Sequence, residues 1–105
     1  MIIKSRLEET KKWIGTNIDA LSQHLESVQC KNLLLTIKSS TIESTIPIYN
    51  CKIIHNKMKI IIVNNGEFEL TINIDPEPKA YQNENKSIFK IEYQFDGEIL
   101  FEFFN

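Results

Sequence analysis

The chain has 105 residues, 42% of them hydrophobic and 25% charged, with a formal net charge of −2. That is the size of one domain and the composition of a folded globular protein, too apolar for a disordered chain. The longest aliphatic run, Ile60-Ile61-Ile62-Val63, falls far short of the roughly 20 apolar residues that a membrane-spanning helix needs, and the mild acidity argues against a nucleic-acid binder.

Residues 1–28 are expected to form a helix. Ser5 with Glu8 three residues on has the form of a capping box. Leu7, Ile14, Ile18, Leu21, Leu25 and Val28 fall within a stripe about 80° wide when residues advance as in a helix. Gly15-Thr16-Asn17 interrupts this pattern. Gly costs about 1 kcal/mol in a helix interior, and Thr16 or Asn17 is competent to start a second helix. The stripe keeps its phase across the break, which favours one helix.

The remainder reads as strands. Leu33–Lys38 is the first. Ile46–His55 is the second, with Pro47 near its start, as suits a strand end or edge. Met58–Asn64 follows; Ile60–Val63 is apolar at every position, so this strand is expected to be central and covered on both faces. Asn65-Gly66 is a hairpin signal leading into Glu67–Ile74, where apolar and polar residues alternate. Residues 75–87 read as a long loop, a kind of segment that tends to be functional or disordered. Ile88–Phe95 and Glu98–Phe104 flank a second hairpin signal, Asp96-Gly97.

The expected fold class is therefore α+β: an N-terminal amphipathic helix packed on a five- to six-stranded antiparallel meander sheet. Residues 1–105 make a single domain, with the helix in 1–28 and the sheet in 33–104. This helix-then-sheet order resembles cystatin-like, wrapped-sheet architectures in layout, which fixes no function.

Eleven of the 12 basic residues are lysine, Arg6 being the exception, and there are 18 isoleucines and 10 asparagines against two alanines. These are residues of AT-rich codons, pointing to an AT-rich genome such as that of a low-GC bacterium or one of its phages. Met1–Glu9 has no apolar leader core and carries acids, so a cytoplasmic location is expected. Cys30 and Cys51 then read as two reduced thiols in the core. Charge is unevenly placed: residues 1–65 carry nine basic and five acidic side chains, residues 66–105 three and nine. Such a split marks either partner surfaces or two halves that attract each other in the fold.

Catalytic parts are missing from the pattern. On a strand, Cys51 and His55 stand about 13 Å apart, beyond hydrogen-bond reach. His24, Cys30, Cys51 and His55 lack the close ligand spacing that anchors zinc. The carboxylate pairs Glu67 with Glu69, Glu98 with Glu102 and Glu92 with Asp96 occupy positions that read as solvent-facing. The three glycines are isolated and cannot build a phosphate loop. Neither an enzyme, nor a metal site, nor a cofactor is expected.

Binding is the alternative, and three surfaces stand out. One is the helix flank of Arg6, Trp13, Asn17 and His24, since Trp and Arg are enriched at interface hot spots. Another is an acidic strand face of Glu67, Glu69, Glu92, Glu98 and Glu102, suited to a protein partner with a basic surface. The last is the strand Glu98–Phe104, apolar on both sides, which is either central or an edge for homodimer formation. Tyr81 is a lesser candidate in the long loop.

The expected function is that of a small intracellular protein-binding module. It would block a macromolecular partner sterically and electrostatically, as an inhibitor, immunity or phage anti-defence protein does. The alternatives are a small-molecule pocket between helix and sheet, among Phe89, Ile91, Tyr93 and Phe101, and a homo-oligomeric structural subunit.

Overall fold

A computed structural model describes residues 12–28, 31–64, 68–94 and 97–104. Among these residues the first element is a short strand, β1 (Ile14–Thr16), followed directly by the helix α1 (Ile18–Ser27). Seven further strands follow among the described residues: β2 (Lys31–Lys38), β3 (Glu43–His55), β4 (Lys59–Asn64), β5 (Phe68–Asn73), β6 (Lys79–Gln82), β7 (Ile88–Glu92) and β8 (Glu98–Phe104). The α+β class holds, but the sheet has eight strands and the helix is short.

The expected continuous helix breaks where the sequence carries its interruption. Ile14-Gly15-Thr16 pairs antiparallel with Gln82-Tyr81-Ala80 of β6. Asn17 then caps α1: its backbone is extended, and its Oδ1 accepts the Ala20 N–H at 2.8 Å. Asp19 in the first turn suits the positive end of the helix dipole. Of the predicted stripe, Ile18, Leu21 and Leu25 are buried on one face of α1, whereas Ile14 is exposed on β1. Ser5, Leu7 and Glu8, and with them the capping box, lie outside the described residues.

The strand order is β1-β6-β7-β8-β2-β3-β4-β5, and every pairing is antiparallel. Two meanders, β2 to β5 and β6 to β8, are thus joined edge to edge by the pairing of β2 with β8. β5 and β6 stand six strand spacings apart, about 29 Å in a flat sheet. The six peptide steps from Asn73 to Lys79 reach about 21 Å at most. The sheet must therefore curl, and the Tyr93 hydroxyl after β7 donates to the Asn73 carbonyl at the end of β5, 2.7 Å away.

A bulge bends β3. Asn50 adopts a left-handed backbone (φ 51°), and its N–H is held by Asn32 Oδ1 at 3.1 Å. The register with β2 shifts there, so Ile48 before the bulge and Cys51 and Ile53 after it all face inward and are buried. α1 lies inside the curl against β3 and β6. Its Leu21 and Leu25 meet Leu33, Leu35, Ile60, Ile62, Phe89, Ile91 and Phe101 in one core. Glu26 Oε2 lies 2.7 Å from His55 Nδ1 and ties the helix to the end of β3.

Three expectations change with this topology. β4 is next to the sheet edge, not central: Ile60 and Ile62 are fully buried, but Ile61 and Val63 on the outer face are only half-buried. The segment 75–87 contains β6 and is not one loop. β8 is central, with one edge on β7 and the other on β2, which leaves no strand edge there for a second chain. Phe89, Ile91 and Phe101 are buried in the core. Cys51 is buried in that core, as its composition-based assignment anticipated; Cys30 lies outside the described residues. Among the described residues no helix is long and apolar enough to cross a membrane.

Candidate protein-binding face

The antiparallel register places rows of side chains on the outer face, the one turned away from α1. Tyr81, Lys90, Leu100, Thr36 and Thr45 align across β6, β7, β8, β2 and β3. Two residues further along each strand, Lys79, Glu92, Glu98, Lys38 and Glu43 form a second row. Directly opposed like charges destabilise a sheet, so the facing pair Glu92 and Glu98 needs a cation. Lys90 supplies it: its Nζ lies 3.8 Å from Glu92 Oε2 and 3.9 Å from Glu98 Oε2.

Aromatic rings flank the same ammonium. Lys90 Nζ sits 4.5 Å from the centre of the Trp13 ring and 4.9 Å from that of Tyr81. β1 delivers Trp13 to this place, because its pairing with β6 sets the residue before Ile14 beside the β6–β7 hairpin. The Lys90 side chain is 15% exposed, so its attraction to the two rings operates with little water around it. The Glu92 side chain is 43% exposed and the Glu98 side chain 30%, which leaves carboxylate surface for a further partner.

Beside this cluster lies a cleft of about 440 Å³. It is lined by Glu92 and Glu98, by Ser39 and Ser40, and by Lys38, Tyr93, Gln94 and Gly97. Gly97 has φ 95°, and a Cβ there would come within 2.9 Å of the Lys38 carbonyl oxygen. The two carboxylates of the cleft suit a guanidinium or ammonium.

Four of the ten residues singled out from the sequence, Trp13, Tyr81, Glu92 and Glu98, therefore converge around Lys90. The others do not. Glu69 is exposed on β5, at the far edge of the sheet. Glu102 is buried, 3% exposed, between Ile88 and Leu34 on the neighbouring strands, where a solvent-facing carboxylate was expected. His24 is half-buried on α1, with its ring 4.8 Å from that of Phe89. Arg6 and Glu67 lie outside the described residues. The expected acidic face is thus divided, and Lys38, Lys79 and Lys90 flank its central pair.

Sequence reasoning missed Lys90, on which the cluster turns. Its role depends on the neighbour strand β6, where Lys79-Ala80-Tyr81-Gln82 offers only one aliphatic residue and so too little alternation to be read as a strand. No protein-family model, curated protein or solved structure matches this chain.

Proposed function

We propose that the protein is a small binding module that blocks a macromolecular partner through its outer sheet face. The single observation that carries this is the convergence of Trp13, Tyr81, Glu92 and Glu98 on Lys90, beside a cleft with carboxylates in its wall. Trp and Tyr are the residue types that anchor interfaces, because they bring large area at small entropic cost. The protein partner presents a basic side chain to Glu92 and Glu98 and apolar surface to Trp13 and Tyr81. Since lysines offset most of the local acid, the rings provide anchoring and the carboxylates set register. Inhibitor, immunity and anti-defence proteins of low-GC bacteria and their phages work by this kind of obstruction.

Affinity capture from low-GC bacterial lysates tests the reading, with the wild-type chain, the E92Q/E98Q variant and the Trp13→Ala variant compared at low and high salt. A stoichiometric partner that is weakened by salt and lost with either variant supports it. A partner retained equally by all three chains would move the interface elsewhere. Recovery of the bait alone from every lysate would count against a blocking module.

A further inference from the structure

A second cleft, of about 430 Å³, opens at the opposite end of β7 from Glu92, where the last turn of α1 meets the start of β2 and the β6–β7 turn. Val28, Phe103 and Phe104 give it apolar walls. His24, Lys31 and Lys86 stand at its polar side, each from a different element, and among the described residues no carboxylate lines it. A hollow whose described lining is apolar and cationic, without a carboxylate, is complementary to an anion on an apolar body.

The turn that presents Lys86 is fixed in an unusual backbone. Lys86 has φ 57°, in the left-handed region that non-glycine residues seldom enter. A compact network holds it there. Asn83 Oδ1 accepts the N–H groups of Ser87 (2.8 Å) and Ile88 (3.1 Å), and the Lys86 N–H donates to the Asn83 carbonyl at 3.2 Å. Asn83 Nδ2 donates to Ser87 Oγ at 3.0 Å, and Ser87 Oγ donates to Asn85 Oδ1 at 2.6 Å. Ser87 lines the cleft but its proton is already given to Asn85, so among the described residues His24 and the two lysines are the side-chain donors left to a ligand.

We propose that this cleft binds a small amphipathic anion, a carboxylate or phosphate carried on an apolar body. Lys31, Lys86 and His24 receive the charge; Val28, Phe103 and Phe104 receive the body. This site is separate from the outer-face cluster and does not depend on the function proposed for it. Burial, and then the neighbouring Lys86 ammonium, hold the His24 imidazole below its ordinary pKa of 6.5. The charged group acting on His24 is Lys86 from the turn, and the uncharged Phe89 ring of β7 lies against it, while Lys31 of β2 lines the same cleft. A bound anion offsets the Lys86 field and raises the His24 pKa, so binding takes up a proton and tightens as pH falls below neutral.

Nuclear magnetic resonance of the full chain tests this, with phenyl phosphate, 3-phenylpropionate and inorganic phosphate as probes at about pH 6 and about pH 7.5. The expected result is saturable shifts at His24, Lys86, Phe103 and Phe104 with at least one of the two aromatic anions. That anion binds about tenfold more tightly than inorganic phosphate, and more tightly at the lower pH. Whichever aromatic probe binds better identifies the head group as phosphate or carboxylate. K31M/K86M should weaken binding about tenfold; Lys86→Gly removes one charge while relieving the left-handed backbone, so it keeps the fold and still weakens binding. Shifts that stay linear with both aromatic probes, or that match those of inorganic phosphate, would overturn the proposal. So would affinity unchanged in Lys86→Gly.

Discussion

His24 shows how one side chain couples the local environment to folding. Burial first, and Lys86 second, depress its pKa in the folded chain. The unfolded chain therefore takes up the proton at higher pH. The stability that neutral His24 contributes is complete above about pH 6.5 and is lost as pH falls through the depressed folded value. Chemical denaturation between pH 7.5 and pH 5 should show wild-type stability falling with a steeper slope than that of His24→Gln, and Lys86→Met should move the His24 titration upward toward its ordinary position. Gly97 is a second decisive residue, for steric reasons. At φ 95°, with the Lys38 carbonyl oxygen 2.9 Å from where a Cβ would stand, Gly97→Ala should cost about 1–3 kcal/mol, read as a lower denaturation midpoint at unchanged slope.

Among the elements, α1 is where local signals and tertiary pairing compete. The apolar spacing of Ile14, Ile18, Leu21 and Leu25 favours one helix, but Gly15 weakens it and β6 offers Ile14–Thr16 a partner. Strand pairing takes the first part, and Asn17 starts the helix from the second. Asn17→Ala should lower stability by about 1 kcal/mol with loss of helical signal, because the Ala20 N–H then has no side-chain acceptor. The long strands were legible because their alternation is strong: Phe68, Leu70 and Ile72 face inward from β5, and Glu98–Phe104 is a strand with the bounds its residues suggest. β1 and β6 were not legible. Each is a strand of three or four residues whose existence depends on the other and on β7. The candidate site inherits that limit. Trp13 and Tyr81 could be picked out by residue type, but their meeting at Lys90 is a product of β1–β6–β7 pairing and of nothing local.

At the scale of the molecule, the curl of the sheet accounts for both the helix and the charge. A sheet whose β5–β6 connection is too short for a flat arrangement must wrap, and α1 fills the hollow so created. The uneven charge of the two halves is partly spent inside the fold: basic β2 lies beside acidic β8, with Lys38 opposite Glu98. What remains on the outer face is a polar and aromatic cluster around Lys90. Trp13 is the only tryptophan in the chain, so it is a built-in reporter of that face. The most direct measurement follows Trp13 fluorescence, with acrylamide as quencher, while the captured partner is added to the wild-type chain and to E92Q/E98Q. A partner that carries no tryptophan, or is labelled to remove its signal, keeps the readout specific. The binding-face account predicts saturable protection of Trp13 that weakens with salt and is reduced about tenfold in affinity by E92Q/E98Q. A partner that binds both chains equally and leaves Trp13 as open to quencher as before would contradict it.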